Sequence, residues 1–279
     1  MSERVAVRKT YKLFIGGKFP RSESGRSYPV ESGSGETVNV ALASRKDVRD
    51  AVVTARAAVK GWSGATAYNR GQILYRVAEM LEGRREQFTA LGVPADEVDA
   101  AIDRWVWYAG WSDKIAQVYG GANPVAGPYF NLSAPEPTGV VGVVAPSEPA
   151  LLGLVSVIAP ALVTGNTVVV LASPAQPLPA VTLTEVLATS DLPGGVVNLL
   201  TGRITETAPT LAAHADVNAI DLTGVTDPEL ATALEVAAAE NLKRVLRPPL
   251  TAPDWFADPG LEPMTALLET KTVWHPKGM

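Results

Sequence analysis

Length, composition and charge exclude several classes of protein. The chain has 279 residues, of which 47% are apolar and 19% charged, and its formal net charge is −5 at pH 7. An acidic globular chain with scattered Lys and Arg offers no basic surface for nucleic acid. The longest apolar stretch, Leu151 to Val163, is too short to cross a bilayer and contains Gly and Pro. We therefore expect neither a nucleic-acid nor a membrane partner.

The content of Cys and His limits the possible chemistry. The sequence has no Cys and only two His residues, His214 and His275, which lie far apart in the chain. Disulfides, zinc–thiolate sites and thiol catalysis are therefore excluded, and no metal-ligand spacing is present. The first twelve residues contain no apolar core of a signal peptide, so we predict a cytoplasmic protein without a metal site.

Residues 11–119 are predicted to form short strands followed by three helices. Strands and turns are expected up to residue 41, and Ser44 is a suitable N-cap for a helix that ends near Trp62. Two further helices are predicted over residues 68–91 and 95–119. The last one carries four aromatic side chains that we interpret as core, namely Trp105, Trp107, Tyr108 and Trp111.

From residue 139 onward, short strands and helices alternate. The Val-rich run from 139 to 145 is typical of a strand buried on both faces. Further strands are predicted at 167–171, 196–200 and 219–222, with helices at 151–162, 179–189, 207–214 and 228–241. This alternation predicts an α/β fold, a Rossmann-like parallel sheet with helices on both faces. The Pro/Gly-rich residues 123–138 predict an extended hairpin, and residues 267–276 a final strand.

Nine segments, in this order, resemble the aldehyde dehydrogenase superfamily. They are LFIGGKF (13–19), SGSGETVNVALASRKDVRDAVVTARAA (32–58), YAGWSDKI (108–115), GPYFNLSAPEPTGVVGVVAP (127–146), IAPALVTGNTVVV (158–170), LPGGVVNLLTG (192–202), LTGVTD with NLKRV (222–227 and 241–245), and LLETKTVWHP (267–276). The resemblance implies three parts. Residues 1–122 and 139–246 form an NAD-binding-like domain, 123–138 and 264–279 an oligomerisation arm with a β-hairpin and C-terminal strand, and 247–263 a linker that replaces the catalytic domain.

The sequence departs from the family where that resemblance would place chemistry. The family's catalytic domain, with its glutamate and nucleophilic cysteine, follows NLKRV, whereas here the Pro-rich residues 247–263 follow it. Trp-Asn of the family, whose amide stabilises an oxyanion, is replaced by Ser147-Glu148, and a carboxylate would repel that charge. The Lys and Glu that bind the adenosine ribose are replaced by Leu171 and Pro174, which have no side-chain donor or acceptor.

The family's diphosphate-binding turn is only partly kept. Thr223 and Gly224 remain as vestigial cofactor-binding residues, but Val225 replaces the family's Ser and Glu229 its Gly. We interpret Asp227 and Glu229 as helix-capping acids. The resemblance thus implies no catalytic residue and no bound cofactor, or NAD held weakly at most, and we expect that the chain alone does not oxidise aldehydes.

The retained arm leads to our functional hypothesis. In the family, this arm lies against a neighbouring subunit and extends its sheet. We expect a non-catalytic subunit that forms a hetero-oligomer with a full-length aldehyde dehydrogenase. Three alternatives remain open: a weak NAD-binding or sensor module, a family oxidoreductase that uses other residues or completes the active site of a partner, and a remnant without function. The predicted interface residues are Tyr129, Phe130, Thr272, Val273 and Trp274.

Overall fold

The N-terminal part of the protein combines a small sheet with a layer of helices. The computed structural model describes Val5, residues 9–33 and residues 35–278. The strands β1 to β3 join in the order β1-β3-β2 and are Thr10–Tyr11, Ser27–Glu31 and Thr37–Ala41. The helices α1 to α5 are Arg45–Gly64, Ala67–Glu82, Arg85–Thr89, Ala95–Trp111 and Ile115–Tyr119. Ser44 caps α1 in a capping box with Asp47, which confirms its predicted role.

The second half of the chain forms a parallel sheet with helices between its strands. The strands β6 to β10 are Val140–Val144, Thr167–Leu171, Val197–Leu200, Ala219–Asp221 and Arg244–Leu246, after β4 (Gly121–Asn123) and β5 (Tyr129–Pro137). The helices α6 to α9 are Leu152–Val163, Pro177–Leu187, Ile204–Ala213 and Pro228–Ala239. Within the described residues this sheet has the order β10-β9-β6-β7-β8, and all of its pairs are parallel.

Alternate side chains of the central strands enter two separate cores. On β6, Val141 and Val143 pack on one face of the sheet, whereas Val140 and Val144 pack on the other. Each strand of this kind needs apolar residues at every position, because helices cover both faces. The predicted fold class, a Rossmann-like parallel sheet with helices on both faces, is therefore confirmed. The division of the chain into domains remains a prediction.

A buried carboxylate from another helix caps α6. All residues of α6 are buried, and no side chain of its own first turn caps it. Glu97 of α4 instead accepts hydrogen bonds from the amides of Leu151 (2.6 Å) and Leu152 (3.1 Å). The partial positive charge of the helix N-terminus favours a carboxylate at this position. Glu97 thus fixes the start of α6 beside the carboxyl end of β6.

The arm forms a third sheet in the order β11-β5-β4, in which β11 is Leu268–Pro276. Its nine antiparallel pairs with β5 extend from Leu268 opposite Pro137 to Pro276 opposite Tyr129. The predicted pairing of the tail with residues near 129–133 is confirmed. Docking of the arm on a partner stays a prediction, as does its alternative, in which the tail folds back on its own coenzyme-binding domain.

Several predicted boundaries were wrong. The helix expected over 95–119 ends at Trp111 and resumes as α5, and the helix expected over 68–91 ends at Glu82. Strand β10 was not predicted, and the short helix α10 (Glu262–Thr265) begins inside the predicted loop 247–263. No helix of the described residues is long and apolar enough to span a membrane. Residues 1–4 and 6–8, on which the signal-peptide prediction depends in part, lie outside the described residues.

Replacing Glu97 with Ala should lower the free energy of unfolding by about 2 kcal/mol, because two amides of α6 would lose their acceptor inside the core. Urea denaturation followed by circular dichroism measures this change. Asp103→Ala, on the exposed side of α4, is the matched control and should cost less than about 0.5 kcal/mol. Equal losses in the two variants would contradict the capping role.

Candidate functional site

A cleft of about 780 Å³ lies at the carboxyl ends of β6 and β9, where open α/β sheets bind ligands. One wall is formed by the loop after β6, with Ser147 and Glu148, and another by the turn after β9, with Thr223 and Gly224. The first residues of the linker, residues 247–263, form the opposite wall. The two predicted cofactor-binding residues therefore do lie in a cleft.

The polar groups of this turn are used by the protein itself. The amide of Gly224 donates to the carbonyl of Val144 at 3.0 Å. A Cβ atom at Gly224 would lie 2.1 Å from the carbonyl oxygen of Ala145, so this close approach requires glycine. The amide and the hydroxyl of Thr223 both donate to Oδ1 of Asp221, at 2.8 and 2.5 Å. These donors are therefore already used within the protein and are not available to a ligand in the cleft.

The N-terminus of α9 is occupied by an acidic cap. Asp227 accepts a hydrogen bond from the amide of Glu229 at 2.9 Å, which confirms the predicted capping role of Asp227. Glu229 lies in the first turn of α9, where its negative charge compensates the positive end of the helix dipole. Val225 is buried. The helix end that would attract an anion therefore carries two carboxylates.

The other altered positions also lack donors toward the cleft. Leu171 is buried at the end of β7, and Pro174 is exposed in the loop that follows. Glu148 is exposed, as expected for a solvated loop carboxylate, and Ser147 shares a hydrogen bond with Ser173 at 2.8 Å. These residues hold the loops in place but provide no recognition of a ribose.

Two arginines fix the linker over the cleft. Arg247 forms an ion pair with Glu235 of α9 at 3.0 Å. Arg104, buried on α4, donates through Nη2 to the carbonyls of Trp255 (2.7 Å) and Ala257 (2.9 Å). Sequence reasoning missed Arg104, although a cation between the core residues of a helix indicates a buried role. The linker is therefore an ordered wall of the cleft in the described structure.

The cleft does not fit a nicotinamide dinucleotide. Such a coenzyme carries two phosphates, yet the exposed Glu148 lines the cleft, Asp227 occupies the helix end, and Arg247 of the lining is already paired with Glu235. The turn amide of Gly224 is already bonded, and Leu171 offers no hydrogen-bonding group. A metal centre is not supported either, because no three His, Cys, Asp or Glu side chains are placed to hold an ion in the described part of the chain.

The five predicted interface residues lie on the arm sheet and divide between its two faces. Directly opposed residues of antiparallel strands share a face. The pairs Thr272–Ser133 and Trp274–Asn131 therefore lie on one face with Tyr129, whose ring meets that of Trp274 at 5.8 Å. The other face carries Phe130, Leu132 and Val273. The sequence placed these residues in the arm but did not separate the faces.

Fold and cleft together define a doubly wound α/β protein with a Rossmann-like sheet. The model of the "Aldehyde dehydrogenase family" matches residues 21–247. Mitochondrial aldehyde dehydrogenase of Rattus norvegicus is 33% identical over 250 residues, which cover 84% of this chain and 47% of that protein. Retinal dehydrogenase 2 of Homo sapiens is 36% identical over 253 residues, with coverages of 85% and 48%.

Solved structures agree with these relatives. An aldehyde dehydrogenase from Bacillus cereus, solved as its NAD⁺ complex, superimposes with a TM-score of 0.78 and 28% identity over 85% of this chain and 50% of that one. The chain belongs to the aldehyde dehydrogenase family, and it spans about half the length of the relatives it matches. The family match ends at residue 247, where the linker begins.

Asp221→Asn should stabilise the protein at neutral pH. Burial raises the pKa of Asp221 to about 6, against the opposing effect of its hydrogen bonds from Thr223. The folded state therefore binds a proton that the unfolded state has lost, and stability falls as pH rises from about 4 to about 6. An Asn can still accept from Thr223 but does not ionise. The variant should exceed the wild type by about 1 kcal/mol at pH 4.5 and by about 2–3 kcal/mol at pH 7.5.

Urea denaturation at both pH values measures this difference, with the exposed Asp103→Asn as control. A constant offset between variant and wild type across the pH range would show that burial of the charge is not the cause.

Proposed function

We propose that this chain is a non-catalytic subunit that assembles with a full-length, active aldehyde dehydrogenase through its arm. The observation that carries the proposal is that the arm sheet projects from the rest of the protein. Apolar side chains are exposed on both faces of this sheet. Phe130 and Trp274 are each 57% exposed, and Leu132 is 45% exposed. Large apolar side chains clustered in this way mark an interaction surface.

The strand β11 offers a partner a further means of attachment. In the described arm sheet β11 has β5 on one side only, so its other edge is unpaired. An unpaired strand edge is a template for pairing with another chain, and strand addition uses its main-chain groups. Of the charged side chains of β11, Glu269 pairs with Arg244 at 2.8 Å and Lys271 with Glu136 at 3.0 Å. Both charges are thus offset within the protein, which lowers their opposition to such pairing.

The arm is held in a fixed direction by its base. Met264 and Leu267 are buried in the main core, and Asn166 donates to the carbonyl of Leu267 at 3.0 Å. Arg244 of β10 donates to the carbonyls of Ala266 (2.8 Å) and Leu268 (2.7 Å). A surface that is already ordered loses less entropy on binding, which favours association. These anchors support docking as a preformed element.

The absence of catalytic groups supports the other half of the proposal. The sequence contains no Cys, and the linker occupies the place where the family's catalytic domain begins. Glu148, at the position of the family's oxyanion-stabilising Asn, cannot donate a hydrogen bond when ionised. We propose that the part of the family fold that this chain retains serves to present the arm. The partner then catalyses the reaction.

Co-expression with the full-length aldehyde dehydrogenase of the same organism should give a complex whose native mass contains both chains. Phe130→Glu combined with Leu132→Glu should abolish the complex, because two charges would have to be desolvated in the interface. Val53→Glu is the matched control, since Val53 is 60% exposed on α1 and lies outside the arm. A complex that persists in the double variant, or a chain that remains alone in the wild type, rejects the proposal.

The isolated chain should bind NAD with a dissociation constant above about 1 mM, because contacts to the ribose are missing and acids surround the phosphate position. Isothermal titration calorimetry measures this affinity. Glu148→Gln combined with Glu229→Gln removes two exposed carboxylates and should strengthen binding severalfold. Asp103→Asn with Glu86→Gln, also exposed, is the control for net charge. Micromolar binding by the wild type would instead favour the sensor-module alternative.

A further inference from the structure

A second cavity, of about 530 Å³, lies beneath the linker and has a buried polar floor. Arg104 and Tyr108, one turn apart on α4, line the cavity together with Ser156 of α6 and Asp221 at the end of β9. All four are less than a tenth exposed. Trp255 and the prolines of the linker close the cavity from the other side. Its volume is in the range of small-molecule sites.

Among the residues that the structure describes, the buried guanidinium of Arg104 forms no ion pair. Its three hydrogen bonds go to neutral oxygens, those of Ser156 (3.0 Å), Trp255 and Ala257. Burial lowers the pKa of Arg104, and the exposed carboxylate of Asp258 opposes this only to a smaller extent. A guanidinium has five N–H donors, so two remain for another acceptor.

The hydroxyl of Tyr108 has no hydrogen-bond partner in the described structure, although the residue is fully buried. An unpaired hydroxyl in a protein interior costs about 1–3 kcal/mol, and such groups are therefore uncommon. The hydroxyl lies on the same face of α4 as Arg104, and both residues line the cavity. Together they offer donors to one anionic group.

The carboxyl of Asp221 provides the opposite charge. It is 4% exposed, and its hydrogen bonds come only from Thr223, both to Oδ1. No Lys, Arg or His forms an ion pair with it among the described residues. Asp221 and Arg104 thus line one cavity and do not neutralise each other. Isolated buried charges are costly, and a ligand that bridges both would remove two penalties at once.

The rim adds acidic groups and an aromatic surface. Arg247 at the rim is already paired with Glu235, so it adds little free positive charge. Trp255 presents a half-buried ring. The exposed acids of the lining are Asp254, Asp258 and Glu262. A ligand that carried only negative charge would be repelled by these acids, whereas an ammonium group would be attracted by them.

We propose that this cavity binds a free amino acid, with its carboxylate on Arg104 and Tyr108 and its ammonium group on Asp221. The apolar surfaces of Trp255, Leu246 and Val157 then cover the side chain of the ligand. The bound molecule would tie the linker to α4 and β9, because its partners come from all three. The site lies at the base of the arm, where Ala266 and Leu267 also line the cavity, and this inference does not depend on the assembly proposed above.

The test begins with thermal denaturation of the full chain in the presence of each of the twenty L-amino acids at 5 mM. At least one should raise the melting temperature by several degrees. For leucine as an example, the matched probes are 4-methylpentanoate, which lacks the ammonium group, and 3-methylbutylamine, which lacks the carboxylate. Each fragment of the preferred amino acid should bind at least tenfold more weakly in calorimetry.

Variants separate a ligand site from a structural role. Tyr108→Phe removes a hydroxyl that has no partner, so the unliganded variant should be as stable as the wild type but bind the amino acid about tenfold more weakly. Asp221→Asn should reduce affinity for the amino acid but not for its carboxylate fragment. Tyr75→Phe and Asp103→Asn, both exposed and outside the cavity, are the controls. The proposal is overturned if no amino acid binds, if a fragment binds equally well, or if Tyr108→Phe leaves affinity unchanged.

Discussion

The guanidinium of Arg244 joins the central sheet to the arm. Arg244 lies on β10, the edge strand of that sheet, and holds two carbonyls of the tail while its Nη2 pairs with Glu269 at 2.8 Å. The tail enters the core at Leu267 and leaves it as β11 within two residues of these contacts. Together with the buried Met264 and Leu267 and the hydrogen bond from Asn166 to Leu267, this join fixes the direction in which β5 and β11 leave the body.

The protein keeps the packing of its family, whereas it differs at residues that the family resemblance places near a coenzyme. Val runs on β6 and β7 fill two cores, because both faces of the parallel sheet are covered. The carboxyl edge of the same sheet, where ligands bind in this fold, carries Leu171, Glu148 and a turn whose amide is already bonded. Packing and recognition are separable in this architecture, since the first depends on strand interiors and the second on the loops after them.

The strand interiors are also what the sequence predicts best. Continuous Val and Leu runs, each followed by Gly or Pro, predict β6, β7 and β8 within a residue or two. The break between α4 and α5 was missed because Ser112, Asp113 and Lys114 include no Gly or Pro and do not interrupt the helical pattern. Strand β10 was missed because its three half-buried residues have no strand-like pattern of their own, and its pairing with β9 is a tertiary effect.

The functional residues likewise divide into those that the sequence predicts and those that only the structure brings together. Family resemblance places Thr223 and Gly224 in the cleft, but only coordinates show that their donors turn inward to Asp221 and Val144. The cavity under the linker depends on Arg104 and Asp221, which lie far apart in the chain and belong to no motif. Their proximity arises from the packing of α4 against α6 and from the position of β9, so no pattern of spacing could have brought them together.

The contacts of Arg244 also make the arm insensitive to the length of the chain between β10 and the tail. Arg244 holds the carbonyls of Ala266 and Leu268, so the two ends of the connecting segment are fixed to each other by contacts that the segment itself does not make. The free-energy cost of closing a flexible loop rises by only about 0.6 kcal/mol for each doubling of its length. The chain between β10 and the tail can therefore be a short linker or a whole inserted domain at nearly the same free-energy cost of loop closure. Neither would disturb the hydrogen bonds of the sheet.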